Sequence, residues 1–513
     1  MIVFSEINCL PYGYLNEIQF EEEQFQTKWF YDAQDSLHEK LNIKQNKKEA
    51  RNVIIFLGDG MSVPTVTAAR IHLEQRLNLT GHTDGLEFDK FSYSGLSKTY
   101  CADSQVADSA CSATAYLGGV KGNFRTIGVT EKVKENDCKS AVNRQNHVSS
   151  IAEWAQKANK LTGIVTTTRV THASPAGNYA HISNRNMESD LDIIQIDQNI
   201  TGYKYCKDIA KQLIEDLPGR YLNVIMGGGR QKFLPIEGYE KATAYGYGER
   251  LDGEDLIQKW YNNNKDGNAI YVSNRNQLLN VDFQKTDHLL GLFADSHMKF
   301  NLDNIDRKEP SLAEMTASAI EILQKGTNGF YLFVEGGHID IAHHSTLTRK
   351  ALDETIEFSK AIRIAKEMTS SKDTLIVVTA DHSHTMSISG YSTLNNDILG
   401  LNSLRSNIDG LPYATLSYAN GPDTKRSLNG SRINLEKDDI NDKDFSYPSN
   451  VPLKSETHGG DDVPVFASGP WAHLFSGTYE QNLIPHLMGY AACIGSGDTC
   501  CRYSNKRSRN KIK

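Results

Sequence analysis

Three apolar runs of strand length in this chain end directly in acids. Val53–Leu57 is followed by Gly58-Asp59-Gly60, and Phe330–Val334 runs into Glu335-Gly-Gly-His-Ile-Asp340, with His344 four residues on. Thr374–Val378 runs into Thr379-Ala-Asp381-His382-Ser-His384. In an open α/β sheet the carboxyl ends of strands lie along one edge, where ligands bind. Carboxylates and imidazoles converging there repel and desolvate one another unless a cation joins them. Mixed Asp and His donors suit zinc, whereas Asp, Glu and hydroxyl oxygens suit magnesium. More than one divalent ion at one edge is the arrangement that stabilises both oxygens of a phosphoryl displacement. Any one of these acids reads more simply as a helix N-cap. Three in one chain, each with further metal-type residues, argue for a site.

A nucleophile candidate lies in Val106-Ala-Asp108-Ser109-Ala-Cys111-Ser-Ala-Thr-Ala115. The residues after Ser109 are small and suit a helix, which puts Asp108 or Ser109 at a helix N-terminus, a natural oxyanion and phosphate site. An ordinary Asp/Ser N-cap explains the same pattern equally well.

Stretches that alternate between strand and helix must position these residues. Helices are expected over 29–42, 151–158, 208–216, 311–324 and 348–368, and strands over 53–57, 164–168, 222–226, 330–334 and 374–378. That alternation predicts an α/β fold: a doubly wound, mostly parallel central sheet with helices on both faces. The segment 391–457 breaks the rhythm with Asn, Ser, Gly and Asp, and reads as a small inserted region. The expected organisation is an N-terminal extension and helix (1–50), a main catalytic body (51–390), the insertion (391–457), a return to the body (458–500) and a basic tail (501–513).

The chain has 513 residues, 39% hydrophobic and 23% charged, which excludes disordered and fibrous classes. A net charge of -8, from 55 basic and 63 acidic residues, argues against nucleic acid as the main partner. No apolar run approaches the roughly 20 residues of a membrane-spanning helix. The first residues do not read as a secretory leader, and the basic tail lacks the apolar stretch of a lipid-anchor signal. Sequons stand at Asn78, Asn199 and Asn429.

Taken together, the FLGDGM (56–61), DSA (108–110), THASPAGNYAHISNR (171–185), FVEGGHID (333–340), TADHSH (379–384) and ETHGGDD (456–462) segments resemble the animal-type alkaline phosphatase family, in its order and at its spacing. The resemblance spans about residues 30–500. It implies hydrolysis of phosphate monoesters through a phosphoserine, with broad leaving-group specificity, an alkaline optimum, and two zinc ions and one magnesium ion per subunit. It casts Ser109 as the nucleophile and Asp340, His344 and His458 as ligands of one zinc. Asp59, Asp381 and His382, with Ser109, match the ligands of the second zinc. Asp59, Ser174 and Glu335 match those of magnesium, with His172 acting through water. Arg185 matches the phosphate clamp, and His384 a residue beside the phosphate.

The resemblance also implies a homodimer, with Tyr391 reaching the partner's site and 391–457 forming an interfacial crown. It implies the disulfides Cys138–Cys206 and Cys493–Cys500, with Cys501 a competitor of Cys500 for Cys493, and hence an oxidising compartment. A soluble secreted form is expected, with a lipid-anchored cell-surface form as the alternative. Cys111 is expected to remain a small buried thiol. Against the family pattern, His338, Ile341 and Ala342 differ, Gly459 and Asp461 alter the run after His458, and Ser62 and Pro64 alter the turn after Asp59. Phe293 and Glu309 align with calcium ligands, but Ala294 stands where a glutamate is expected, so calcium is not carried over. A sulfatase reading fails because Ser109 lacks the following x-Pro-x-Arg. Arg185 disfavours a phosphodiesterase, and a non-enzymatic relative would not need every ligand kept.

Overall fold

A computed structural model describes residues 28–78, 85–196, 205–236 and 248–499. Asn199, Cys9, Cys500, Cys501 and the basic tail therefore lie outside the described residues. The chain divides into Met1–Gln45 and Asn46–Lys513. Within the first unit, helix α1 (Lys28–Asn42) covers the expected stretch.

The second unit is built on a ten-stranded sheet. Its strands include β1 (Asn52–Gly58), β2 (Tyr93–Lys98), β3 (Leu161–Arg169), β4 (Val224–Gly228), β5 (Ala269–Val272), β6 (His288–Leu292), β7 (Phe330–Gly336) and β8 (Thr374–Thr379). With the strands Val463–Ser468 and Gly477–Glu480, the order is 477–480, β2, 463–468, β8, β1, β7, β3, β4, β6, β5. Pairing is parallel from β8 through to β5. Only Val463–Ser468 runs against its neighbours, β2 and β8. The mostly parallel sheet expected from the sequence is present.

The three acid-terminated strands β8, β1 and β7 are adjacent at the sheet's centre. Their apolar runs are continuous because both faces are covered. Alternate residues supply two cores: Val53, Ile55, Tyr331, Phe333, Leu375 and Val377 face one layer. Ile54, Phe56, Leu332, Val334, Ile376 and Val378 face the other. On that second face α2 (Val63–Arg76), Leu312–Leu323 and the long helix Thr348–Met368 pack together. Truncating one such buried phenylalanine, Phe56 or Phe333, to alanine costs about 3–5 kcal/mol.

Local signals fix where these helices begin. Ser311 and Glu314 form a reciprocal capping box. Ser62 accepts from the Thr65 N–H, and Pro64 sits in the first turn of α2. Ser62 and Pro64, departures from the family pattern, are thus a self-contained helix start. The expected strand 222–226 lies two residues later, at Val224–Gly228, because Leu222 closes a short 3-10 turn. Within 391–457 the strands are short and leave the main sheet. Leu416–Gly421 and Ser449–Pro452 join Met386–Ile388, just before the insertion, in a separate three-stranded sheet.

Candidate active site

Asp59 directly follows β1, Glu335 lies at the end of β7 and Asp381 stands two residues past the end of β8, so sheet register brings three carboxylates to one edge. Leu57 pairs with both Glu335 and Thr379. Gly60 turns the chain away with φ +66°, and a Cβ there would lie 2.3 Å from the His384 ring. Glycine is required both for the turn and for that close approach.

The acids are buried and poorly satisfied. Both Asp59 carboxylate oxygens, Asp381 Oδ2 and Glu335 Oε1 are buried without a hydrogen-bond partner, as is His172 Nδ1. Burial, with Asp381, Asp340 and Glu335 nearby, holds the Asp59 carboxyl well above its ordinary range. Burial pushes Glu335 up to about 7, against the hydrogen bond from Thr166. Unpartnered acceptors at such density are what a cation resolves.

Two donor sets suit zinc. In the first, Asp340 Oδ1 lies 3.4 Å from both His344 Nε2 and His458 Nε2. Those two nitrogens are 3.1 Å apart. His344 Nδ1 faces the Glu456 carbonyl at 2.6 Å and His458 Nδ1 the Ala107 carbonyl at 2.8 Å. Each Nδ1 carries the proton there, so both Nε2 lone pairs converge with the carboxylate. Burial depresses both imidazoles and favours this neutral form. In the second set, His382 Nε2 lies 3.1 Å from Asp381 Oδ2, 3.5 Å from Asp59 Oδ1 and 3.2 Å from Ser109 Oγ. A third set, Asp59, His172 and Glu335, offers ligand atoms within 4.8 Å of one another. Its oxygens suit magnesium, and buried Ser174 follows on the short helix Ala173–Ala176. The residues fit the metal ions that the sequence suggested.

Asp108 and Ser109, which the sequence places together at a helix N-terminus, take different positions in the fold. Asp108 caps α3 (Ser109–Gly118), its Oδ1 accepting from the Cys111 and Arg125 N–H groups. Its Oδ2 accepts from Arg185 at 3.1 Å. Asp108 is fully engaged, while Ser109 Oγ faces His382 at the helix N-terminus. Arg185 also bonds to His172 Nε2 at 3.0 Å. Arg185, His344 and His458 retain 16%, 32% and 14% side-chain exposure, so the centre opens to solvent along that rim.

His384 lies behind the first set, its Nε2 2.7 Å from Asp340 Oδ1. Burial opposes a charge on His384, yet the Glu456 and Asp340 carboxylates push it up to about 10. Gly459 explains one departure from the family pattern. A Cβ there would lie 2.3 Å from Ser383 Oγ, which bonds to Asp461 at 2.9 Å.

One expectation is corrected. Cys111 is no free thiol: it forms a disulfide with Cys101, ten residues away. Helix α3 turns Cys111 back towards the preceding loop, where Cys101 accompanies it in a small buried cluster. Cys138 pairs with Cys206. Cys493 is disulfide-bonded too, whereas Cys500 lies outside the described residues. Sequence reasoning missed Thr166, Thr168 and Glu456. The two threonines bond to Glu335 from a neighbouring strand, and no local pattern marks them.

A doubly wound sheet with donor sets for several cations around a helix-N-terminal serine defines a metal-dependent phosphoryl-transfer hydrolase. A model of the alkaline phosphatase family matches residues 50–494. The chain is 46% identical to the membrane-bound alkaline phosphatase of Bombyx mori over 92% of its length and 86% of that protein's. It is 45% identical to alkaline phosphatase of Gadus morhua, covering 93% and 99%. It is 44% identical to the human tissue-nonspecific isozyme, covering 94% and 91%. The chain belongs to the alkaline phosphatase family and is a phosphate monoester hydrolase. Solved structures share the fold. Thermus thermophilus alkaline phosphatase matches with TM-score 0.63 at 21% identity, covering 89% of this chain and 94% of that one. The enzyme of the Antarctic bacterium TAB5 matches with TM-score 0.58 at 22%, covering 88% and 100%.

Proposed function

We propose that Ser109 is the nucleophile of a two-step monoester hydrolysis, on two zinc ions and one magnesium ion. The observation that carries this is the convergence of three donor sets at one sheet edge beside Ser109 Oγ. Asp340, His344 and His458 hold one zinc; Asp59, Asp381 and His382, with Ser109, hold the second; Asp59, Ser174 and Glu335, with His172 nearby, hold magnesium. When bound, these ions lower the pKa of coordinated hydroxyls and neutralise developing oxyanions. Ser109 Oγ attacks phosphorus, the Oγ–P bond forms and the bond to the alcohol oxygen breaks. Water then attacks the phosphoserine, releasing phosphate and restoring Ser109. Arg185, held by Asp108, grips two phosphoryl oxygens as a planar fork. His384 steadies Asp340 from behind. Because the grip falls on the phosphoryl group, the leaving group matters little.

The assembly proposed is a homodimer through 391–457, supported by the exposure of Tyr391, Ile408 and Leu428 there. Secretion is proposed, with cell-surface anchoring as the alternative; paired cysteines and the exposed sequon at Asn429 support an extracellular setting. No helix among the described residues is long and apolar enough to cross a membrane. The decisive experiment is p-nitrophenyl phosphate hydrolysis at alkaline pH by metal-stripped protein resupplied with zinc and magnesium. Restored turnover with one phosphate on Ser109 is expected. Turnover that ignores the metals overturns the reading.

A further inference from the structure

Glu456 is fully engaged and buried, with 1% exposure. It precedes the two-residue strand His458–Gly459, which pairs with Ser383–His384. Its Oε1 accepts from the Thr385 N–H at 2.7 Å and from Thr385 Oγ1 at 2.6 Å. Its Oε2 meets His384 Nδ1 at 2.5 Å. The main chain is used as well: the Glu456 N–H donates to the His344 carbonyl at 2.9 Å, and the Glu456 carbonyl accepts from His344 Nδ1 at 2.6 Å. Through His384, the carboxylate reaches Asp340 Oδ1.

Three donors converge on this carboxylate. Asp59, by contrast, has both carboxylate oxygens unpartnered. An imidazole ring turns easily about its last torsion unless the far nitrogen is held. Glu456 holds two of them, His344 by its carbonyl and His384 by its side chain, and His384 in turn bonds to Asp340.

We infer that Glu456 is a positioning residue for the Asp340–His344–His458 cation site, acting through the Glu456–His384–Asp340 chain. The inference rests on the ligand assignment proposed above. Outer partners of this kind typically contribute about 10- to 100-fold to metal affinity. Glu456→Ala removes the carboxylate but keeps the carbonyl on His344. It should weaken binding of one zinc equivalent per chain by about 10- to 100-fold, read by competition with a chromogenic chelator, while the other sites hold. Glu456→Gln still accepts from Thr385, and its amide N–H donates to His384 Nδ1 once that nitrogen has given up its proton, with Nε2–H still held by Asp340, so it should stay within about threefold. Where the alanine variant fails to fold, Glu456→Asp, one methylene shorter, should show the weakening. In a His384→Ala background, Glu456→Ala should add almost nothing. Unchanged zinc affinity in folded Glu456→Ala or Glu456→Asp overturns the inference, as does an equal loss in the His384→Ala background. His344→Ala separates the two levels. If it keeps full zinc affinity, the ligand assignment itself is wrong and this inference falls with it.

Discussion

Asp108 Oδ2 accepts from Arg185 while Asp108 Oδ1 caps the helix that begins at Ser109. One carboxylate thus couples the nucleophile's helix to the phosphate clamp. Asp108→Ala should lose the cap, at about 1 kcal/mol of stability. It should also free Arg185 from its pre-set direction, which weakens the grip on product as well as substrate. The inhibition constant for inorganic phosphate should rise about tenfold, a loss of roughly 1.4 kcal/mol. An unchanged phosphate inhibition constant in a folded variant would show that Arg185 does not depend on Asp108.

Ser109→Ala removes the attacking oxygen and leaves every carboxylate and imidazole in place. Turnover should fall on the order of 1,000-fold or more, as it does when a covalent nucleophile is deleted. Zinc and magnesium content should change little. Burst kinetics persisting in this variant would place the covalent step elsewhere.

Chelation should abolish activity reversibly, with zinc restoring more than magnesium alone. It should also lower the melting temperature, because ions that bind only the folded state stabilise it by mass action. Full activity after exhaustive chelation would end the metal reading.

The central strands and their acids were legible because β8, β1 and β7 are covered on both faces and therefore read as unbroken apolar runs. Strands β5 and β6 were not foreseen: Ala269–Val272 is a short, half-buried strand at the sheet's edge, and His288–Leu292 is only five residues long and is interrupted by Gly291. Val463–Ser468 carries a proline, which lowers its strand signal. The proposed ligands sit in local motifs, which chain order displays. Glu456 and Thr166 act on residues 72 and 169 positions away. Only the fold brings such partners together.

The raised Glu335 gives a pH signature. Its carboxyl is pushed from 4.5 to about 7 in the metal-free fold. Between those values the metal-free fold holds a proton that the unfolded chain releases, so its stability falls as pH rises through that window. Magnesium needs the ionised carboxylate. Its apparent affinity should therefore climb about tenfold per pH unit below 7 and level off above. The magnesium-induced rise in melting temperature should be small at pH 5 and large at pH 8. Equal rises at both would remove Glu335 from the site.

The two disulfides should differ in what they contribute. Cys138–Cys206 spans 68 residues, whereas Cys101–Cys111 spans 10. Closing the longer loop in the unfolded chain removes more entropy, about 4 kcal/mol against about 3 for the shorter. Cys138→Ser should lower the melting temperature more than Cys101→Ser does. The shorter bridge has a different use, because Cys111 lies in the first turn of the helix that presents Ser109. Cys101→Ser should therefore lower kcat more than its small stability loss implies, while Cys138→Ser leaves kcat near normal in the folded fraction. Non-reducing peptide mapping should first recover both pairs from native protein. The reverse ranking, with Cys138→Ser the more damaging to kcat, would detach the Cys101–Cys111 bridge from the nucleophile's placement.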